Sequence, residues 1–199
     1  MSQLVLWRHA RTDHNIEGRL QGSLDIPLEA DGLAQAAAAA ARIVAHVGDR
    51  ARVVSSPLSR ATASADELSR LLGVETQVDE AFTQRPYGVW EGRTWDEVRE
   101  RWPEDFERRR RGLEPLIDGW GASADIATRV GEGLRRWYDP ETPTVVVSHG
   151  SAIQLGVMHM IGVETESRVF GKIPHGAWHV LTQSVSGAWH VDAFALGAD

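Results

Sequence analysis

The chain alternates short apolar runs with helical stretches, and the runs lack the in–out alternation of half-exposed strands. Residues 4–7 (LVLW), 52–55 (RVVS), 74–78 and 145–148 (VVVS) read as strands. Residues 31–47, 58–72 and 151–161 read as helices, the first begun by Asp31-Gly32 and the second stopped by Gly73. Residues 177–184 and 188–195 read as a closing hairpin around Ser186-Gly187. Strands that are apolar on both sides and separated by helices must be covered on both faces. The predicted architecture is therefore α/β, a three-layer α/β/α sandwich with a mainly parallel central sheet. The length of 199 residues suits one domain over 1–199.

One stretch breaks the alternation. Residues 93–122 carry Trp95, Trp102, Trp120, an arginine run at 108–111, and two prolines, with helical pieces at 95–101 and 104–111 and no strand. Such an insertion between strands is expected to lie over a site as a helical lid. The arginine run is expected to be a solvated helix face.

Composition narrows the function classes. With no cysteine, disulfides, thiolate metal sites and cysteine nucleophiles are excluded. A formal net charge of -7 argues against a general nucleic-acid or anionic-membrane binder. No apolar run reaches the roughly 18 residues of a membrane span, and Met1 is followed too closely by the first strand to leave room for a signal peptide, so a cytoplasmic location is expected. His175 and His179 stand four apart, and His190 is expected across the hairpin from His179. No acidic ligand cluster accompanies them, so no metal is assigned.

In open α/β sheets, ligands bind beyond the carboxyl ends of the strands. Four segments leave that edge: Arg8-His9, residues 55–60 (SSPLSR), residues 84–88 (QRPYG) and Ser148-His149-Gly150. Two histidines and several arginines thus converge on one mouth. Guanidinium forks match phosphate oxygens, and the helix after His149-Gly150 points free N–H groups at the same place. The inference is a site for a dianionic phosphate with a histidine placed to attack it.

These segments carry a family resemblance. Residues 8–15 (RHARTDHN) resemble the RHG-x-T-x-x-N signature of the histidine phosphatase superfamily, also called phosphoglycerate mutase-like. The likeness continues through Leu20-Gln21-Gly22 and Pro27-Leu28, and then through residues 55–65, 87–92 (YGVWEG) and 148–150. It implies a metal-independent phosphatase with no cofactor, in which His9 is the nucleophile and forms a phosphohistidine that water hydrolyses. It further implies that Arg8 and Arg60 clamp the phosphoryl oxygens and that His149 stabilises their developing charge. Asn15 would bind phosphate or position its loop, and Gln21, Gly22, Arg85 and Gly150 would complete the phosphate and substrate contacts. Arg11 and His14 are read as loop residues as readily as substrate contacts.

The pattern also breaks. The family's general acid is a glutamate four residues before the glycine of G-x-W-E-G, and here that position is Gln84. An amide donates a hydrogen bond but does not transfer a proton at useful pH. Either another carboxylate supplies the proton (Asp79, Glu80 or Glu104), or the substrate needs no acid, or the chain is a weakened relative that binds a phosphorylated ligand. A further departure is Ala122, where the lid's G-E-S segment carries its glutamate. The reading is a phosphomonoesterase acting on a small phosphorylated metabolite. The alternatives are a phosphoglycerate mutase-type phosphotransferase and a catalytically impaired phospholigand-binding protein. Oligomeric state is left open, with a homodimer compatible.

Overall fold

A computed structural model describes residues 3–167 and 169–197. The elements run β1 (Gln3–Arg8), α1 (Asp13–Ile16), α2 (Ala30–Val47), β2 (Arg52–Ser55), α3 (Ser59–Leu72), β3 (Thr76–Val78), α4 (Trp95–Arg101), α5 (Pro103–Arg110), α6 (Ser123–Trp137), β4 (Thr144–Ser148), α7 (Gly150–Ile161), β5 (Trp178–Gln183) and β6 (Trp189–Leu196). The strands form one mixed sheet in the order β3-β2-β4-β1-β5-β6. The β3–β2, β2–β4 and β4–β1 pairs are parallel, and β5 and β6 are added antiparallel.

Successive side chains of a strand point to opposite faces, and β1 shows what that does here. Leu4 and Leu6 enter a core completed by α6 and α7 (Val130, Leu134, Ile153, Val157). Val5 and Trp7 enter a second core completed by α2 and α3 (Ala36, Ala40, Ala61, Leu68). Both faces of the strand are therefore dry, and the three layers follow. The alanines of α2 and α3 let those helices approach closely, and Gly32 lies against the Arg11 carbonyl with no room for a Cβ. No helix among the described residues is long and apolar enough to cross a membrane.

The structure adjusts three readings. Helix α2 starts at Ala30 because the Glu29 side chain caps the Asp31 N–H. Strand β3 begins at Thr76 rather than 74, since the Val74 N–H still closes α3 through the Ser69 carbonyl after left-handed Gly73. The sequence reading assigned no helix to residues 123–137, where α6 lies. Two glycines inside it weaken the helical signal, yet both are packing devices. A Cβ at Gly131 would strike the His159 ring, and one at Gly133 would press on Ala81 and Phe82.

Residues 93–122 form α4 and α5 as expected and carry no strand of the sheet. Thr94 and Glu97 form a capping box on α4, and Pro103 opens α5. Their apolar faces join Leu20 and Trp90 in a third, smaller core with Tyr87, Trp102, Phe106, Ile117 and Trp120.

Candidate active site

The parallel register sets the site. Arg8 is level with Ser148, so the next residues of the two strands, His9 and His149, emerge side by side with ring centroids 5.1 Å apart. The His9 N–H still bonds the Ser148 carbonyl at 2.9 Å, which fixes where β1 ends. Beyond it the Ala10 N–H donates to Ser64 Oγ, whose hydroxyl donates to the Arg60 carbonyl, tying this turn to α3.

His9 is held in one tautomer. Its Nδ1 lies 2.6 Å from the Ala10 carbonyl, which only accepts, so Nδ1 carries the proton and Nε2 keeps its lone pair. Burial, and after it His149, Arg60, His175 and Arg8, hold its pKa well below the ordinary 6.5. His149 is lowered in the same way, by burial, then by Arg60, Arg8 and Arg129. His149 Nε2 meets Ser56 Oγ at 2.8 Å, and its Nδ1 is buried with no protein partner. Both imidazoles are thus neutral near pH 7.

Two guanidiniums flank them. Arg60 is fully buried, and its two terminal nitrogens donate to the Leu24 and Gly22 carbonyls at 2.7 and 2.9 Å. Arg8 donates to the Ile173 carbonyl and to His175 Nε2, the latter at 2.7 Å. Burial brings each down to about 10, so both stay charged at neutral pH. Among the described residues neither is ion-paired with a carboxylate, and the Nε of each is buried without a partner. Buried cations held only by neutral acceptors are costly unless an anion completes them. Gly150 lies beside Arg8, where a Cβ would sit 3.4 Å from the guanidinium carbon, and it opens α7 with no side-chain cap on its N–H groups. Together these form a seat for a dianion next to a free imidazole nitrogen.

The other predicted residues divide. Gly22 belongs to the site through its carbonyl on Arg60. Gln21 is buried with its Oε1 unpartnered. Asn15 closes a capping box, its Oδ1 accepting from the Thr12 N–H and hydroxyl. Arg11 pairs with Glu29 and Asp31 instead of turning to the histidines. Gln84 spends its Oε1 on the Arg85 N–H at 2.9 Å. Arg85 is buried, stacks over Trp120, donates to Ser123 Oγ at 2.5 Å and pairs with Glu114 at 3.6 Å. Glu114 also accepts from the Ser123 N–H, next to Ala122.

Two of the substitute acids are committed elsewhere. Asp79 Oδ2 accepts from Arg136 and Trp137, and its other oxygen caps Ala81, so burial notwithstanding its pKa is held below the usual carboxylate range. Glu80 is exposed and bonds the Thr83 hydroxyl. The three hairpin histidines do not converge: His190 faces Thr182 across the hairpin rather than His179, and His179 packs on Phe194. His175 instead joins the site, its ring 5.3 Å from His9, and burial next to Arg8 drives it to about 3. Sequence reasoning weighed His175 as a metal ligand or as part of the turn entering a strand. Its place after Pro174, at the start of the return to β5, was the one signal available. Ser56 and Tyr87 were likewise inside quoted motifs without an assigned role.

Beside the seat lies a cavity of about 610 Å³ that Arg85, Ser123 and Ser151 share with Trp95, Phe106 and Phe170. Arg109 also lines it, reaching over Trp120. Of the arginine run expected on a solvated helix face, Arg109 is drawn inward by the indole face of Trp120.

Known proteins share this arrangement of sequence and fold. A family profile described as the histidine phosphatase superfamily (branch 1) matches residues 4–195. Glucosyl-3-phosphoglycerate phosphatase of Mycobacterium tuberculosis is 29% identical over 197 residues, covering 94% of this chain and 83% of the relative. Phosphoserine phosphatase 1 of Hydrogenobacter thermophilus is 32% identical over 170 residues, covering 82% and 78%. Among solved structures, a mycobacterial glucosyl-3-phosphoglycerate phosphatase complexed with VO3 superposes with a TM-score of 0.87 at 27% identity, covering 98% of this chain and 99% of that one.

Proposed function

The chain belongs to the histidine phosphatase superfamily, and from that premise we propose a phosphomonoesterase that works through a phosphohistidine on His9. The observation that carries this is the pairing of a neutral imidazole, its Nε2 free, with two buried guanidiniums that have no carboxylate partner among the described residues. Nε2 attacks phosphorus as the bond to the alcohol breaks. Arg8, Arg60, His149 and the first N–H groups of α7 hold the three remaining oxygens, whose charge they match best in the transition state. Water then releases phosphate. No step calls on a metal.

The substrate is a small phosphorylated metabolite whose alcohol portion occupies the cavity of about 610 Å³ beyond Ser151. The relatives act, by their names, on a glucosyl-phosphoglycerate and on phosphoserine, and Arg85 with Arg109 offers an acidic group of that kind a cationic wall. Residues 93–122 act as the lid of this cavity through Trp95, Phe106 and Arg109. A phospholigand-binding role is favoured by one observation, Gln84 at the acid position, and the same assay separates the two. The protein, with chelator present, is expected to hydrolyse 4-nitrophenyl phosphate, and His9→Ala to lose at least a thousandfold. Binding of inorganic phosphate without turnover would establish the binding role instead.

A further inference from the structure

The proposed reaction, on which this inference rests, leaves one proton without a donor. An alkoxide leaves phosphorus poorly unless it is protonated, and Gln84 offers only an amide whose carbonyl is already bonded to the Arg85 N–H. Asp79 and Glu80 are committed to Arg136, Trp137 and Thr83. Glu114 accepts from Trp120 and from the Ser123 N–H beside Arg85, and those contacts hold it ionised, below the usual carboxylate range. These three carboxylates are each engaged elsewhere, and Glu104 is exposed on α5.

Tyr87 is in the right place. Its hydroxyl lies 2.8 Å from Ser151 Oγ. Ser151 follows Gly150, the residue packed on the Arg8 guanidinium, and lines the cavity assigned to the alcohol. The phenol is thus hydrogen-bonded to the residue that links the phosphate seat to the leaving-group cavity. Its ring is tilted against Trp120 at 5.5 Å, and its backbone is pinned, the N–H donating to Glu91 Oε1 at 2.9 Å and an isolated β-bridge joining it to Trp120. Arg8, Arg60 and Arg85 all lie close enough to feel a phenolate there, each being favoured in its charged form by Tyr87.

We propose that Tyr87 is the general acid of this chain, protonating the leaving oxygen in place of the absent glutamate, with Ser151 as the positioning residue that orients its hydroxyl. In the first step the P–O bond to the alcohol breaks while the bond from His9 Nε2 to phosphorus forms. The departing oxygen takes the phenolic proton, giving free alcohol and a tyrosinate faced by three guanidiniums. In the second step water attacks phosphorus and gives a proton to the tyrosinate. The P–N bond then breaks, its electrons returning to Nε2, and inorganic phosphate leaves. Tyr87 and His9 end as they began.

The test compares an alkyl phosphate (glycerol 3-phosphate) with 4-nitrophenyl phosphate, whose leaving group needs little protonation. Tyr87→Phe is expected to lower kcat on the alkyl ester by about 10²-fold or more and to cut the aryl ester by a clearly smaller factor. Tyr87→Phe combined with Gln84→Glu is expected to recover most of the alkyl activity, because the restored carboxyl acts at the same oxygen. Ser151→Ala should show the same leaving-group bias more weakly, and Ser151→Thr, which keeps the hydroxyl, should recover the alkyl-ester rate. Equal losses on both esters in Tyr87→Phe, or an alkyl rate within threefold of the parent, would overturn the assignment. A parent protein that turns over neither ester overturns the phosphatase reading itself, and Tyr87 loses its role with it.

Discussion

Replacing Gly22 by alanine tests how the phosphate seat is braced. Gly22 has φ +54°, a left-handed conformation that costs a residue with a Cβ about 1–2 kcal/mol. An added Cβ would also lie 2.6 Å from Glu91 Cδ and 2.9 Å from Cγ, and closer still to Oε1. That oxygen is no loose end, since it accepts from the Ser23 and Tyr87 N–H groups at 2.8 and 2.9 Å. Hydrogen bonds to a charged group are worth roughly 1.5–3 kcal/mol each, so displacing Glu91 adds about 3–6 kcal/mol to the backbone cost. The sum, about 4–8 kcal/mol, rivals the whole stability of an ordinary domain at about 5–15 kcal/mol. Urea unfolding of Gly22→Ala, Glu91→Ala and the double variant reads this directly. In the Glu91→Ala background the glycine substitution should cost only its backbone share, a coupling of at least about 2 kcal/mol. The same cost in both backgrounds would refute the bracing argument.

Other expectations concern charge and the clamp. His9, His149, His175 and His179 all have folded pKa values below 6.5, the last two at about 3 and about 4, with burial the leading cause in each. The unfolded chain then binds more protons than the folded one below pH 6.5, so their contribution is fully present above that value. It is lost as pH falls towards 4 and 3, with a slope of up to about 1.4 kcal/mol per unit for each histidine. Denaturant midpoints should be level between pH 7.5 and 7 and fall steeply by pH 5; a flat profile contradicts the buried neutral cluster. Arg60→Lys keeps the charge but loses the fork that spans the Gly22 and Leu24 carbonyls. It should lower kcat/KM on 4-nitrophenyl phosphate roughly 10- to 100-fold, the worth of about one charged hydrogen bond, whereas a loss under threefold would remove Arg60 from the clamp.

The layers and the sheet edge were readable because strands buried on both faces leave no polar alternation, as in residues 4–7 and 145–148. His9 and His149 were readable for the same reason: each ends a run that has to be central. Helix α6 was hidden by Gly131 and Gly133, whose purpose appears only when α7 and Phe82 lie against them. His175 was hidden because its value lies in a tertiary contact: the lone pair of Nε2 accepts a hydrogen bond from Arg8, 167 residues earlier in the chain. Glu114 escaped notice because its partners, Arg85 and Ser123, are brought to it only by the fold. Tyr87 lay inside a quoted motif, and only its 2.8 Å approach to Ser151 separates a catalytic phenol from a packing ring.

The central claim is that phosphoryl transfer runs through His9 Nε2, and trapping that bond tests it most directly. The protein is mixed with 4-nitrophenyl phosphate, quenched within the first turnovers, and mapped by peptide mass spectrometry. The account expects an adduct that is labile in acid, stable in base, and confined to His9, with none in His9→Ala. Steady turnover with His9 unmodified, or with the phosphoryl group on another residue, would contradict it.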